Sequence, residues 1–201
     1  MDADHFAPKY EALLRHLQKH AKRCRFVHEC ATFCDRGTLA VVNSKHILET
    51  GLDYDNFERA DADLWNRPDF VNSRIQRGDV LTYMTGANIG RTAAYLEDTA
   101  ALASNEVNML RVENENAIYV ALALNSLIGR MQTRRACTGS AQVHLYPSNI
   151  KSFLVPFVDA PTQAQIVADV ESAHAARRRA KQLLEATIES DEAAGMKILQ
   201  S

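Results

Sequence analysis

The feature that most constrains the fold is the junction at Pro161, where a short apolar segment is followed by a long helical pattern. Residues 152–158 read Ser-Phe-Leu-Val-Pro-Phe-Val, and this apolar run predicts a short strand. Thr162 follows Pro161, and Gln165 lies three residues further on. A hydroxyl and an amide at that spacing predict a capping box in the first turn of a helix. Pro161 is therefore expected to separate a compact domain from a long helix.

This boundary predicts three segments. With 201 residues, 46% of them hydrophobic, the chain is large enough for one packed core and an appendage. We expect the compact domain to cover residues 1–160 and to include an amphipathic helix over residues 8–22. The long helix is expected over residues 161–195, ended by Gly195, with a short tail over residues 196–201.

The composition favours a cytoplasmic protein that does not enter a membrane. The sequence has no run of about 18 apolar residues, and its N-terminus lacks the pattern of a signal peptide. The four cysteines suit a reduced compartment, because disulfide frameworks belong to smaller and more cysteine-rich secreted chains. We therefore expect neither a membrane span nor export.

Two groups of residues invite a metal site, and in both cases the spacing argues against it. Cys24, His28, Cys30 and Cys34 are zinc-ligand types, but no paired C-x-x-C spacing is present, so buried thiols are favoured. The acidic segment 52–73 lacks a histidine or lysine at a fixed spacing, and a solvated loop with one helical turn is favoured over a magnesium site. No metal site is predicted.

A β-hairpin is predicted in the middle of the chain. Residues 77–84 and 92–96 are strand-like, and the glycine-rich residues 86–90 lie between them. A phosphate-binding loop is disfavoured, because neither the Walker pattern nor the dinucleotide fingerprint is present. The glycines are expected to turn the backbone and to display Asn88 and Arg91 near the tip.

A basic, polar loop is the strongest candidate for contact with nucleic acid. Residues 117–131 predict a helix, and residues 132–145 then combine Arg134 and Arg135 with polar side chains that suit base edges. The net charge of −2 means that any such contact must use a local basic face. A solvated surface loop remains the alternative. The further candidates in this loop are Ser140, Gln142 and His144.

The long helix has the spacing of a coiled-coil seam. Its repeat alternates steps of four and three residues, and about 45 Å of helix at 1.5 Å per residue exceeds the roughly 34 to 36 Å between half-sites one DNA turn apart. We therefore expect a spacer and dimerisation helix. The expected partner interface consists of Ile166, Val170, Ala173, Ala180 and Leu184, together with Leu13 and Leu17 of the N-terminal helix.

The order of the segments resembles a type I restriction–modification specificity (S) subunit. The resemblance covers nearly the whole chain, and the ordered set of motifs makes it specific. The matching features are residues 2–10, 41–47, 77–81, 86–90, 125–126, 145–150 and 155–156, with Gly51, Gly139, Pro161, Gln165 and Ile166.

This resemblance implies an α+β fold: a mixed, β-rich target-recognition globule with short helices, followed by a long C-terminal coiled-coil-type helix. It implies a non-catalytic role, in which the globule reads one half of a bipartite site in double-stranded DNA. S-adenosylmethionine would belong to a methyltransferase subunit, and ATP and magnesium to a restriction or motor subunit, so no cofactor is expected here. With one recognition domain and one long helix, the chain would pair as a homodimer or with a second specificity module.

Within this hypothesis the candidate DNA contacts form two groups. Arg134, Arg135, Ser140, Gln142 and His144 come first, and Asn88, Arg91 and Lys45 come second. A protein-binding scaffold or inhibitor with the same fold is the alternative, since residues 51–115 are acidic. A hydrolase built on Cys24, His28, Cys30 and Cys34 is a more distant one.

Overall fold

The structure is a computed structural model that describes residues 21–23, 37–112, 114–137 and 143–199, with the backbone alone for 21–23 and 192–199. The chain divides into two units, of which the first ends at Phe157 and the second begins at Val158.

Short strands dominate the first unit. In chain order they are β1 (Ala21–Arg23), β2 (Leu39–Val42), β3 (Ile47–Leu48), β4 (Gly51–Leu52), β5 (Glu58–Ala60), β6 (Arg74–Ile75), β7 (Asp79–Tyr83), β8 (Thr92–Ala94), β9 (Ala101–Ala103) and β10 (Val107–Arg111). The α-helices are α1 (Ala117–Asn125), α2 (Leu127–Ala136), α3 (Pro147–Ile150) and, in the second unit, α4 (Ala160–Leu199). Short 3-10 helices cover Ser44–His46, Tyr54–Asn56, Ala62–Asn66 and Pro68–Ser73.

The strands form two four-stranded sheets and one short ribbon among the described residues. The first sheet has the order β1-β10-β7-β8 and is antiparallel throughout. The second sheet has the order β5-β2-β9-β6, in which β2 and β9 run parallel with Ala40 opposite Ala101. The predicted hairpin is confirmed by β7 and β8, whose register places Val80 opposite Ala94.

The core follows the alternation of side chains along the strands. Because successive side chains point to opposite faces, Ala40 and Val42 of β2 pack in one cluster, whereas Leu39 and Val41 pack in another. The larger cluster joins both sheets, since it also contains residues of β7 and β10. Its members include Leu81, Tyr95, Val107 and Met109, and those of the smaller cluster include Leu64, Phe70 and Leu102.

The single helix predicted over residues 117–131 is wrong, because two helices are found there. Ser126 has an extended backbone and separates α1 from α2, and its hydroxyl donates to the Ala123 carbonyl oxygen at 2.6 Å. A Cβ atom on Gly129 would lie 2.0 Å from the carbonyl oxygen of Leu124. Only glycine allows this close approach between the two helices.

The strand predicted over residues 152–158 is also wrong, although Phe153 and Val155 are buried as their apolar character suggests. The backbone of Leu154 is satisfied by a side chain rather than by another strand. Its N–H donates to Gln132 Oε1 at 2.6 Å, and its carbonyl accepts from Gln132 Nε2 at 2.8 Å. A glutamine on α2 thus replaces the partner strand.

The N-terminal helix predicted over residues 8–22 fails where it can be compared. Residues 21 and 22 belong to β1, whose pairing with β10 places Ala21 opposite Leu110. Strand pairing therefore overrides the local helical spacing there. Residues 8–20, including Leu13 and Leu17, and the cysteines at 24, 30 and 34 with His28 lie outside the described residues.

The acidic segment over residues 52–73 is more ordered than the predicted solvated loop. It contains strand β5 and three short 3-10 helices. Phe57, Leu64 and Phe70 are buried, and they anchor the segment to the two core clusters. Apolar side chains spaced through the acidic run therefore fold it onto the domain.

The second unit consists of the long helix α4. It begins at Ala160, and its first turn is capped by Asp159 instead of Thr162: the Thr162 N–H donates to Asp159 Oδ1 at 3.0 Å and its hydroxyl to Oδ2 at 2.8 Å. Gln165 donates to Asp169 and takes no part in the cap. The helix continues through Gly195 to Leu199 rather than ending at the glycine. None of the described helices is long and apolar enough to cross a membrane.

Candidate nucleic-acid interface

A cleft of about 710 Å³ lies between the turn that joins β7 to β8 and the side of α2. The turn contributes residues 86–91, and α2 contributes Arg130, Thr133 and Arg134. The remaining lining residues are Glu49, Asn125, Cys137 and Val143.

Gly90 allows the turn to lie directly against α2. Its φ angle is +85°, a left-handed conformation that glycine adopts without steric cost. A Cβ atom at this position would lie 2.5 Å from Thr133 Cγ2. Two backbone hydrogen bonds close the turn: the Gly90 N–H donates to the Tyr83 carbonyl at 2.9 Å, and the Tyr83 N–H donates to the Arg91 carbonyl at 2.8 Å. The floor of the cleft is therefore a tight contact between a glycine and a helix residue.

Asn125 fixes the start of β8 to the end of α1. Its Oδ1 accepts from the Thr92 N–H at 2.9 Å, and its Nδ2 donates to the Thr92 carbonyl at 2.5 Å. The Thr92 hydroxyl in turn donates to the Gly90 carbonyl at 3.0 Å. Arg91 lies between these two tethered residues, so its backbone position is well determined.

The cleft is positively charged. Arg130 and Arg134 lie one helical turn apart on α2, and both are exposed. Arg91 reaches the cleft from the turn and forms a loose ion pair with Glu49, with 3.8 Å between its Nη2 and Oε1. The described lining residues thus include three guanidinium groups and one carboxylate, which favours an anionic ligand.

Cys137 is poorly suited to nucleophilic chemistry. Burial raises the pKa of its thiol, so the thiol stays protonated near neutral pH. Its sulfur lies 4.0 Å from the carbonyl oxygen of His144, the acceptor of a weak hydrogen bond. Within the cleft this cysteine is a lining group.

The structure brings three of the predicted DNA contacts together: Asn88, Arg91 and Arg134 all line the cleft. Arg134 and Arg135 lie on α2 and not in the predicted loop, because the helix continues to Ala136. Neighbouring positions on a helix point about 100° apart. Arg135 is accordingly exposed but is not a lining residue.

The other candidates lie elsewhere or outside the described residues. Lys45 Nζ lies 2.6 Å from Glu58 Oε1 and does not line the cleft. Burial raises the pKa of Glu58, but the hydrogen bonds from Lys45 and Asn43, together with the nearby charges of Lys45 and His46, lower it below its ordinary value, so the carboxylate stays charged. His144 forms a β-bridge with Thr85 and is not a lining residue. Ser140 and Gln142 lie outside the described residues.

Two charged residues of the cleft, Arg130 and Glu49, were not among the site residues predicted from the sequence. Arg130 precedes Arg134 by four residues, and a continuous helix through both would have placed them on one face. Glu49 carries no such signal, because it meets Arg91 only through the folding of distant strands. Local spacing can reveal the first contact but not the second.

No family model matches the chain, and no curated protein matches it either. Several solved structures resemble its fold. One belongs to a study of the complex assembly and conformational transition of the type I R-M system; it has a TM-score of 0.51 at 14% identity, covering 84% of this chain and 40% of that chain. The chain has the fold of a type I S subunit.

A second solved structure is the S subunit of a type I restriction–modification system from M. genitalium. Its TM-score is 0.51 at 12% identity, and the match covers 85% of this chain and 40% of that one. The chain therefore spans about 40% of the length of each S-subunit-like structure. The predicted resemblance and the predicted α+β fold with a long C-terminal helix are confirmed.

Proposed function

We propose that this chain is a non-catalytic DNA-recognition module of a type I restriction–modification system, which reads one half-site in double-stranded DNA. The observation that carries the proposal is the convergence of Arg91, Arg130 and Arg134 on one cleft of an S-subunit-like fold. A guanidinium group can bind a phosphate through two N–H donors, or the O6 and N7 atoms of guanine. Both are ligands that duplex DNA offers.

The chemistry of the cleft agrees with a binding role. Glu49 is the one carboxylate among its described lining residues, whereas general acid–base catalysis commonly needs a second titratable partner. The Cys137 thiol is held protonated by its raised pKa. In this proposal methylation, with S-adenosylmethionine, and cleavage, with ATP and magnesium, belong to partner subunits.

Helix α4 supports a role in spacing and pairing. Its 40 residues span about 60 Å at 1.5 Å per residue. Leu183, Leu184 and Ile188 are large apolar side chains that lie exposed on it. A second helix packed on the face that contains Leu184 and Ile188 would bury these two side chains, in a homodimer or with a second specificity module. The proposed interface uses Ile166, Val170, Ala173, Ala180 and Leu184.

A binding measurement tests the proposal. The full chain, together with the methyltransferase subunit, is titrated against labelled duplex DNA at several salt concentrations. Affinity should fall steeply with salt, because phosphate contacts release counterions. The double variant Arg130→Ala/Arg134→Ala should bind weakly. Arg59→Ala, at an exposed position of β5 outside the cleft, should bind like wild type. The absence of salt-dependent binding would reject DNA recognition.

A protein-binding scaffold is the second candidate, and one specific observation favours it. Leu127, Ile128 and Met131 of α2 are exposed, with 68%, 48% and 59% of their surface accessible. Such an apolar helix face suits a protein partner. The variant Leu127→Ser/Met131→Ser should then lose assembly with the methyltransferase subunit while the arginine double variant retains it. If the serine variant assembles normally, the scaffold role is rejected.

A further inference from the structure

Glu49 is the one acidic side chain among the described residues that line the cleft with Arg91, Arg130 and Arg134. A cleft that bound only phosphate would gain nothing from Glu49, because a carboxylate repels phosphate and partly neutralises the neighbouring guanidinium. Yet Glu49 lies among the lining residues and faces Arg91 at 3.8 Å. This distance exceeds that of a good charge-assisted hydrogen bond. The carboxylate is therefore near Arg91 without being saturated by it.

Glu49 is presented from a rigid platform. It begins the two-residue turn between β3 and β4, whose register places Ile47 opposite Leu52. Both of these residues are buried, and the ribbon packs against β8 beside the cleft. The Asp53 N–H also donates to the His46 carbonyl at 2.9 Å, which closes the base of the ribbon. The backbone below Glu49 is thus held in place, while its side chain is 65% exposed.

A carboxylate can bind few of the groups that DNA presents. An ionised carboxylate only accepts hydrogen bonds. The major groove offers it the exocyclic amino group of cytosine, whereas the neighbouring Arg91 can donate to guanine O6 and N7. A carboxylate and a guanidinium side by side therefore suit the two members of a C·G pair or of adjacent pairs. Phosphates and carbonyl edges are disfavoured by the same carboxylate.

We infer that Glu49 is a specificity-determining residue, which accepts a hydrogen bond from a cytosine amino group in the major groove while Arg91 donates to guanine. The inference rests on the proposed function, since it assigns base recognition within the same cleft. Glu49 reduces affinity for DNA in general and increases discrimination between bases. The arginines of α2 supply the contacts that do not depend on sequence.

Selection from a randomised duplex library tests the inference. The full chain with the methyltransferase subunit is compared with Glu49→Ala and Glu49→Gln, with Glu97→Gln as a control outside the cleft. Wild type should enrich cytosine at one position. Glu49→Ala should lose about tenfold of that preference while binding random DNA more tightly. Glu49→Gln should shift the preference to adenine, because a glutamine amide pairs with adenine N6 and N7.

The outcomes distinguish base recognition by Glu49 from DNA recognition by the chain as a whole. If both Glu49 variants enrich the same base as wild type at every position, the inference is wrong while DNA recognition stands. The inference would also be wrong if Glu49→Ala bound all sequences more tightly with the same base preference as wild type. Glu49 would then only repel the DNA phosphates. If wild type shows no salt-dependent binding to the library, the proposed function fails and the inference fails with it.

Discussion

The Asn125 side chain bonds both backbone polar groups of Thr92, at 2.9 Å to its N–H and 2.5 Å to its carbonyl. Gln132 makes the same pair of bonds to Leu154, at 2.6 and 2.8 Å. A side-chain amide offers both N–H donors and a carbonyl acceptor, so it can replace one rung of a β-ladder. Asn125 therefore holds α1 to the outer edge of β8, and Gln132 holds α2 to an extended segment that has no strand partner among the described residues.

Replacing Asn125 by Asp should destabilise the protein by about 1–3 kcal/mol, because the Thr92 carbonyl loses its donor and faces a carboxylate. Chemical denaturation followed by circular dichroism measures this change. Asn66→Asp, at an exposed position of a 3-10 helix, is the control and should change stability by less than about 0.5 kcal/mol. Equal stability of the two variants would contradict the role given to Asn125.

Gly90→Ala should destabilise more than Gly78→Ala. Both glycines have positive φ angles, +85° and +88°, so both variants carry backbone strain of about 1 kcal/mol or more. At Gly90 the new Cβ would also lie 2.5 Å from Thr133 Cγ2, whereas nothing lies within 4 Å at Gly78. Thermal unfolding compares the two. Adding Thr133→Ala should recover part of the loss at Gly90 and none at Gly78.

The salt dependence of DNA binding should fall with each cleft arginine that is removed. A phosphate contact contributes about 0.9 to the slope of log affinity against log salt concentration. Arg91→Ala, Arg130→Ala and Arg134→Ala should each lower the slope by about one where the arginine contacts a phosphate. An arginine that reads guanine should instead change base preference. If all three variants kept the salt dependence and the base preference of wild type, the DNA would bind outside the cleft.

Stability should decrease as the pH falls through the range in which His46 titrates. Burial lowers the pKa of His46 from 6.5, and the charge of Lys45 lowers it further, against the opposing effect of Glu58. The unfolded state therefore binds the proton first. As the pH falls below about 6.5, His46 can remove up to about 1.4 kcal/mol per pH unit, until its folded-state pKa is passed.

The variant His46→Asn isolates this contribution. The Asn43 N–H donates to His46 Nδ1 at 2.9 Å, and an asparagine oxygen can accept the same bond without titrating. Urea unfolding between about pH 7 and 5 should give a shallower pH slope than wild type. Phe70→Leu, in the smaller core cluster, should lower stability without changing the dependence of stability on pH. A slope unchanged in His46→Asn would show that other groups set the pH dependence.

Local patterns predicted the elements that form from neighbouring residues. The β7–β8 hairpin and the long helix were predicted, because alternation, turn residues and helical spacing are contained in short windows. Asn88, Arg91 and Arg134 were also identified as candidates, and they share one cleft. Contacts between distant segments were not predictable in this way. The meeting of Glu49 with Arg91, and the pairing of β2 with β9, depend on the assembled core.

The failed predictions have a common physical cause. Residues 21–22 and 152–158 carry patterns that are strong locally, but tertiary partners determine their structure: β10 for the first and Gln132 for the second. Arg134 was assigned to a loop because the predicted helix ended at residue 131, whereas α2 continues to Ala136. Element boundaries are decided by caps and packing that a short window does not contain.

The pairing of Ala21 with Leu110 determines when the first sheet can be completed during synthesis. β1 leaves the ribosome early and must wait for β10. β2 can pair with β5 on one edge but must wait for β9 on the other, whereas β7 and β8 can pair as soon as both have emerged. Contacts between distant residues carry a loop-closure cost and slow folding. β1 and one edge of β2 therefore remain unpaired until most of the domain has been translated, and in that interval these exposed edges are available to chaperones and to other nascent chains.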